Sequence, residues 1–209
     1  MQQQQQKKKK KIAYVDGFNL YFGMRDASLD HCRWLNIKKL VESLLQPNQI
    51  LVEVKYFTSR VSNSPDKQKR QSTYIDAIQS TDTKIFYGNY QDSKEECKRC
   101  GNIWRTAKEK MTDVNIATSI IVDAFHGSYD MAMLISGDSD LTPPIKAVHE
   151  LFKDKRVFIA FPPKRHNNSM ALVAKGSMTI GRKKLVDAQF DETVISKTGY
   201  KLKIPQEWK

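Results

Sequence analysis

The chain has 209 residues, with 35 lysines and arginines against 23 aspartates and glutamates, which gives a formal net charge of +12. Hydrophobic residues make up 40% of the chain and the mean hydropathy is −0.58, so it can build a core and a wholly disordered protein is excluded. The longest apolar runs are far too short to cross a membrane, and the length allows one substantial domain or two small ones.

The first eleven residues differ in composition from the rest of the chain. Residues 1–11 consist of Met, five glutamines and five lysines, and such a low-complexity polar segment predicts a disordered tail. The tail either has no function or serves as a nuclear localisation signal or as a segment that binds nucleic acid. The apolar run that follows, at 12–15, is too short for a secretory signal, so we expect an intracellular, cytoplasmic protein.

Strand and helix patterns alternate from residue 12 onwards. The elements predicted in the first half are a strand at 12–15, helices at 18–27 and 36–45, a strand at 50–57, a helix at 65–79 and a strand at 83–90. Asn36 is placed to cap the second helix. Ser64-Pro65 places a capping residue before a proline at the first position of the third helix.

The second half begins with a cysteine-bearing insertion at 91–110. The elements predicted after it are a helix at 112–125, a strand at 131–136, a helix at 142–151 and a strand at 157–161. This alternation predicts an α/β domain over 12–184, with a mainly parallel five-stranded sheet and helices on both faces. Residues 185–209 are expected to form a short C-terminal extension packed on that domain.

Charge is distributed unevenly along the chain. The chain stays basic when the five lysines of the tail are left out, which favours nucleic acid as the partner because an anionic polymer is attracted by a positive field. A charge surplus that serves only solubility is the alternative.

The segment from Met111 to Ile145, in contrast, contains five aspartates and no lysine or arginine. An acidic segment in a basic protein indicates carboxylates gathered around a cation, as in a metal-dependent nuclease.

Four carboxylates follow predicted strands or begin a helix. Asp16 ends the first strand, Asp138 and Asp140 follow the fourth, and Asp113 falls in the first turn of the helix that Thr112 is expected to cap. Since the carboxyl ends of neighbouring parallel strands meet at one edge of a sheet, we expect these side chains to converge there. Their mutual repulsion would be offset by a divalent cation, and oxygen-only ligands favour Mg²⁺ or Mn²⁺.

Other residues are expected to support this site or to be unrelated to it. Asn19 lies one helical turn after Asp16 and can hold a phosphate or a metal-bound water. The alternative for any single aspartate is that it caps a helix or fills a turn, and we assign only that role to Asp123 and Asp130.

Three sequence blocks carry these candidate residues: Tyr14-Val15-Asp16-Gly17-Phe18-Asn19-Leu20, Glu109-Lys110-Met111-Thr112-Asp113-Val114 and Ile135-Ser136-Gly137-Asp138-Ser139-Asp140-Leu141. In this order the blocks resemble those of the NYN domain, a branch of the PIN-like nucleases. The ending Ile204-Pro205-Gln206-Glu207-Trp208 is similar to the tails of bacterial members. The resemblance covers about residues 11 to 209.

This resemblance implies a PIN-like, Rossmann-like sheet and an Mg²⁺- or Mn²⁺-dependent ribonuclease. Metal binding would be carried by Asp16, Asp113, Asp138 and Asp140. Asn19 would be a polar residue of the site, and Glu109 an acidic residue that supports it.

Cys97-Lys98-Arg99-Cys100-Gly101 has the spacing of half a zinc knuckle. A structural zinc ion needs four ligands and the sequence has no second close cysteine pair; His31, Cys32 or His126 could complete a site only if the fold brought them near. A reduced, unliganded pair is favoured, and zinc on Cys97 and Cys100 is the alternative.

Contacts with substrate are less sharply marked. Lys164 and Arg165 follow the fifth strand at the same sheet edge and are the preferred phosphate contacts, and Ser136 and Asn19 are further candidates for substrate binding. Tyr21, Phe22 and Trp104 could stack on unpaired bases, although a core role is favoured for Phe22.

The sequence thus predicts an enzyme that hydrolyses phosphodiester bonds of single-stranded RNA. A haloacid-dehalogenase-type phosphatase is excluded because Phe18 stands where its second acid would be, and no glycine-rich phosphate loop is present. The remaining alternative is a regulatory RNA-binding module that keeps the metal site but does not cleave. A homodimer would suit a small basic nuclease.

Overall fold

The computed structural model describes residues 8–61, 64–96 and 98–209. The strands in this part of the chain are β1 (Lys9–Asp16), β2 (Gln49–Thr58), β3 (Lys84–Tyr87), β4 (Asn89–Glu96), β5 (Ile103–Lys110), β6 (Met131–Ile135), β7 (Arg156–Phe161), β8 (Ser177–Thr179), β9 (Thr193–Ile195) and β10 (Lys201–Lys203). The α-helices are α1 (Gly17–Asp26), α2 (Ile37–Ser43), α3 (Pro65–Gln79), α4 (Thr112–Phe125), α5 (Thr142–Leu151), α6 (Asn168–Val173) and α7 (Arg182–Asp187). Short 3-10 turns lie at Asp30–Cys32, Ser139–Leu141 and Gln206–Trp208.

The central sheet has six strands in the order β3-β2-β1-β6-β7-β8, and every neighbouring pair is parallel. The predicted parallel sheet is confirmed, but the predicted number of five strands is wrong. The additional strand is β8, which has only three residues, all of them exposed. Because β8 carries no apolar run or alternation, nothing in its local sequence indicates a strand.

Helices cover both faces of the sheet, as the alternation predicts. Successive side chains of a strand point to opposite faces. In β1, Ala13 and Val15 pack with α1 and α2 in one core cluster, whereas Ile12 and Tyr14 pack with α4 and α5 in the other. The buried strand β1 therefore lies at the centre of a sheet enclosed on both faces.

One face also contains a buried polar network. Asp123 of α4 accepts hydrogen bonds from the Tyr14 hydroxyl at 2.5 Å and from the Lys55 Nζ at 2.6 Å. Burial, followed by the nearby carboxylate, raises the pKa of Tyr14. The expectation that Asp123 only caps a helix or fills a turn is wrong, since it joins α4 to β1 and β2. Asp130 lies in a turn, where it accepts a hydrogen bond from the Lys10 backbone N–H.

The insertion predicted at 91–110 corresponds to an antiparallel hairpin of β4 and β5, in which Asn89 pairs with Lys110 and Glu96 with Ile103. The strand predicted at 83–90 is interrupted at Gly88, where β3 ends and β4 begins. Cys97 lies outside the described residues.

The C-terminal residues contact the domain through aromatic side chains. The Trp34 Nε1 donates a hydrogen bond to the Asp191 carbonyl at 2.8 Å. The Trp208 ring lies 5.7 Å from that of Tyr74 and 6.4 Å from that of Trp34. Helix α7 crosses the predicted start of the extension at 185. Among the described residues, no helix has the length and apolarity needed to span a membrane.

Candidate functional site

Asp16, the last residue of β1, and Ser136, the residue after β6, lie next to each other at one edge of the sheet. Strands β1 and β6 are parallel neighbours in which Val15 pairs with Ile135, so the next residue of each strand lies at the same carboxyl edge. The Ser136 Oγ donates a hydrogen bond to the Asp16 Oδ2 at 2.9 Å and accepts one from the Asp138 N–H at 3.1 Å. Both Asp16 and Ser136 are buried.

Asn19 connects the first helix to the loop after β6. The Asp16 Oδ1 accepts a hydrogen bond from the Asn19 N–H at 2.9 Å, which caps α1. The Asn19 Oδ1 in turn accepts a hydrogen bond from the Gly137 N–H at 2.9 Å. Asp16 is therefore a helix cap and a member of the carboxylate set at once, and Asn19 fixes the loop that carries Asp138.

The charges of Asp113 and Asp138 act on Asp16. Burial raises the pKa of Asp16 from its ordinary value of 3.8 to about 6. Hydrogen bonds from Asn19 and Ser136 oppose this rise, and the neighbouring carboxylates of Asp113 and Asp138 add to it. The carboxylates of Asp113, in the first turn of α4, and Asp138, in the loop after β6, thus both act on Asp16 at the end of β1.

Asp140 is placed at the rim of this group. Its backbone N–H donates a hydrogen bond to the Asp138 Oδ1 at 3.0 Å, so Asp138 caps the 3-10 turn that contains Asp140. The side chain of Asp140 is exposed.

The first turn of α4 differs from the expectation in one detail. Met111, rather than Thr112, occupies the capping position, with a left-handed backbone at φ 78° and without a side-chain cap. Thr112 is buried as the first helical residue, and Asp113 lies in the first turn as predicted.

The donor set fits a hard divalent cation in its chemistry. All candidate ligands are carboxylate oxygens, which Mg²⁺ and Mn²⁺ prefer. Ion pairs across the described part of the chain use other carboxylates, and none includes Asp16, Asp138 or Asp140. In the same residues, no group of three acidic, histidine or cysteine side chains is close enough to hold an ion. Binding would therefore require these side chains to draw together.

The loop that carries Lys164 and Arg165 packs on the site loop. A Cβ atom at Gly137 would lie 1.9 Å from the Arg165 carbonyl oxygen, so the two backbones touch where only glycine fits. The Asn167 Nδ2 also donates a hydrogen bond to the Gly137 carbonyl at 3.3 Å. The Arg165 guanidinium pairs with Asp26, and its Nε atom is buried without a hydrogen-bond partner. Lys164 is exposed, with a left-handed φ of 60°.

The remaining candidates from the sequence are the cysteines, Glu109 and three aromatic residues. Cys100 is an exposed free thiol and Cys32 is a buried one, while Cys97 and the side chains of Glu109 and Trp104 lie outside the described part of the chain. Tyr21 and Phe22 are half-buried on α1.

Tyr56 belongs to no sequence motif, although the charge of Asp16 acts on it. Burial and then the charge of Asp16 raise the pKa of its hydroxyl. A Cβ atom at Gly17 would lie 2.5 Å from that hydroxyl oxygen, so α1 begins directly against the Tyr56 ring. The alternation in β2 indicates which face Tyr56 occupies, but not its distance from Asp16.

Comparisons with known proteins agree with this architecture. A crystal structure of a protein of unknown function from Vibrio parahaemolyticus superposes with a TM-score of 0.57 at 20% identity, covering 87% of this chain and 98% of that one. A curated relative, 6-hydroxy-3-succinoylpyridine 3-monooxygenase HspA of Pseudomonas putida (strain DSM 28022 / S16), is 23% identical over 192 residues. That match covers 75% of this chain and 60% of the length of the relative.

The family model of the NYN domain matches residues 11–180, which include most of β1, all of β2 to β8 and all of the candidate carboxylates. This span covers most of the chain and confirms the resemblance carried by the three sequence blocks. The chain belongs to the NYN domain family, in the PIN-like nuclease superfamily.

Proposed function

We propose that the protein is an Mg²⁺- or Mn²⁺-dependent ribonuclease that hydrolyses phosphodiester bonds of single-stranded RNA. Water would add to phosphorus and the bond to the 3′ oxygen would break, which leaves a 5′-phosphate and a 3′-hydroxyl. The observation that carries the proposal is the buried carboxylate of Asp16 at the carboxyl edge of the sheet, on which the charges of Asp113 and Asp138 act. Family membership supports it, because NYN domains fall among the nuclease-like folds.

Asp16, Asp113 and Asp138 would hold the ion, with Asp140 at the rim as a fourth ligand or a ligand to its water shell. When bound, the ion would supply an activated water and offset the charge that develops on the phosphate. The chain itself keeps Asp16 oriented through Ser136 and Asn19. Because Ser136 is fully buried, we assign it to positioning Asp16 rather than to direct substrate contact.

The substrate phosphate would be held by the loop after β7. Arg165 carries an unused Nε donor, and its backbone touches Gly137 in the site loop. Lys164 is exposed on the same loop. Both cations suit the phosphodiester backbone, which is contacted without regard to base sequence. Asn19 would contribute to the same pocket from α1.

The non-cleaving RNA-binding module is the competing function. It is favoured by the separation of the carboxylates, because no three of them in the described residues are close enough together to hold a metal ion. The oxidation named for the Pseudomonas relative is not transferred here, because the chain spans only 60% of that protein at 23% identity.

The test uses purified protein, a labelled single-stranded RNA and either metal. We expect cleavage that EDTA abolishes and that Asp138→Asn abolishes without unfolding, since asparagine can still accept the hydrogen bond from the Asp140 N–H. Asp154→Asn, which changes an exposed aspartate after α5, is the matched control and should cleave normally. Cleavage by Asp138→Asn at the wild-type rate would refute the assigned site. Tight RNA binding without cleavage under either metal would favour the binding module.

A further inference from the structure

A cavity of about 470 Å³ lies at the start of α1, the helix that Asp16 caps. Its walls come from α1, Arg33 after the first 3-10 turn, the end of β2, one side of α3 and the C-terminal turn. Gly17, the residue after Asp16, lines the cavity, and so does Tyr56, whose hydroxyl senses the charge of Asp16. The volume is in the range of cavities that hold nucleotide-sized ligands.

The lining is rich in aromatic rings. The lining aromatic residues are Phe18, Tyr21, Phe22, Tyr56, Tyr74 and Trp208. Tyr21 and Phe22 meet edge to face at 5.3 Å, and Phe18 stacks on Phe22 at 6.3 Å. Tyr21, Phe22 and Trp208 are only half-buried, so they retain surface on which a planar group can stack.

Cations accompany these rings. The described residues that line the cavity include Arg25, Arg33, Lys67 and Arg70, and no carboxylate. The Arg33 guanidinium lies 5.2 Å from the centre of the Tyr21 ring, and that of Arg25 lies 4.6 Å from the Phe22 ring. The Arg33 Nε is buried and has no hydrogen-bond partner.

The carboxylates that pair with these arginines lie outside the lining. Arg33 pairs with Asp30, Arg25 with Asp26 at 3.2 Å and Arg70 with Glu207 at 2.6 Å. The carboxylates of Asp30, Asp26 and Glu207 are substantially exposed. Because these carboxylates lie at the surface, where ion pairs contribute little free energy, a phosphate that enters the cavity can compete with them for the arginines.

We propose that this cavity binds one unpaired base of the RNA strand, adjacent to the phosphate that is cleaved. The base stacks on the exposed side of Tyr21, and Arg33 donates a hydrogen bond to its edge. Arg25, Lys67 and Arg70 hold the flanking phosphates. Aromatic faces combined with cations are the features by which proteins hold single-stranded nucleic acid. The proposal rests on the proposed function, since it assigns a base subsite to the same active centre.

The test measures binding rather than cleavage. A fluorescent eight-nucleotide RNA is titrated with the full chain in EDTA, and the series is repeated with RNAs in which one base at a time is removed to leave an abasic position. For the wild type, we expect removal of one base to weaken binding about tenfold, as the loss of one base-aromatic stack does, with smaller effects at the other positions. A uniform response at all positions, or absence of RNA binding, would overturn the proposal.

Variants then test whether the loss of binding at the sensitive abasic position arises in the cavity. Tyr21→Leu should weaken binding of the intact RNA about tenfold and should abolish the additional loss at the sensitive abasic position. Arg33→Gln should reduce the same positional effect, and provides a second variant if Tyr21→Leu fails to fold. Tyr200→Leu, at a tyrosine that is 73% exposed between the antiparallel strands β9 and β10, is the matched control and should behave as the wild type. Equal losses with intact and abasic RNA in Tyr21→Leu would overturn the proposal.

The result of the abasic-RNA binding test can be distinguished from the result of the cleavage assay. A positional effect that depends on Tyr21, in a protein that never cleaves RNA, would support the base subsite and reject the nuclease. Cleavage with a uniform abasic response would support the nuclease and reject the subsite.

Discussion

The hydroxyl of Ser136 donates a hydrogen bond to the Oδ2 of Asp16 across the boundary between two neighbouring parallel strands. The same oxygen of Ser136 accepts from the Asp138 N–H. One buried hydroxyl therefore fixes the side chain of one candidate ligand and the backbone of another. This connection explains how residues about 120 positions apart in the chain are held in one arrangement by the fold.

Replacing Ser136 with alanine tests this positioning role. Loss of the hydroxyl removes the donor to Asp16 and leaves the Asp138 N–H without its acceptor. We expect Mn²⁺ affinity and kcat/KM for RNA each to fall by about ten- to hundredfold, as for other residues that orient metal ligands. Ser43→Ala, which removes a hydroxyl that donates to the Leu40 carbonyl within α2, is the control. Unchanged metal affinity in Ser136→Ala would show that Asp16 does not depend on this bond.

Gly137→Ala tests the close approach of the two site loops. The added methyl group would lie 1.9 Å from the Arg165 carbonyl oxygen, so one loop must shift. We expect a loss of about 1–3 kcal/mol in the free energy of unfolding, as for other overpacked positions, together with weaker RNA binding. Gly181→Ala, at a glycine with ordinary φ and no atom within 4 Å of the added methyl, should cost less, about 0.5 kcal/mol, because this glycine is only the N-cap of α7. Equal losses in the two variants would contradict the contact.

The raised pKa of Asp16 predicts a pH-dependent stability of the metal-free protein. Between pH 3.8 and about 6 the folded state binds more protons at Asp16 than the unfolded state, so this group's contribution to stability is present at low pH and is lost as the pH rises through that range. The loss should be on the order of 3 kcal/mol. In EDTA, Asp16→Asn should therefore be close to the wild type in stability at pH 4 and more stable at pH 7, measured by urea unfolding. A constant difference between the two proteins across this range would contradict the prediction.

The buried network around Asp123 should be important for the fold rather than for activity. Lys55→Met leaves the Asp123 carboxylate without its cation, at positions where the two side chains are 10% and 14% exposed. We expect a loss of about 3 kcal/mol in the free energy of unfolding. Lys183→Met, which breaks the exposed pair with Asp187, should leave it nearly unchanged. Similar losses in both variants, measured by urea unfolding, would show that burial of this network does not matter.

Local patterns in the sequence were sufficient for the elements that bury an apolar face. Helix α4 begins and ends at the predicted residues, and the strands at 12–15 and 131–136 are the neighbours β1 and β6 whose ends carry Asp16 and Asp138. Strand β8 was missed because pairing with β7, rather than its own side chains, makes it a strand.

Contacts between distant segments could not be predicted from local patterns. Tyr21 and Trp208 meet the same cavity from opposite ends of the chain, and a single sequence contains no signal for that pairing. The role of Asp123 was missed for the same reason, since its partners Tyr14 and Lys55 lie on other elements. The convergence of Asp16 and Asp138 could be inferred only because parallel strands place their carboxyl ends at one edge.

Binding of Mn²⁺ to the purified full chain, followed by the loss of the free-ion signal in electron paramagnetic resonance, tests the central claim most directly. We predict a saturable site that takes up one ion per chain in the wild type and in Asp154→Asn. Binding should be strongly weakened in Asp16→Asn, Asp113→Asn and Asp138→Asn, each of which remains folded. Absence of a saturable site in the wild type, or equal binding by all five proteins, would contradict the assignment of these carboxylates to a metal.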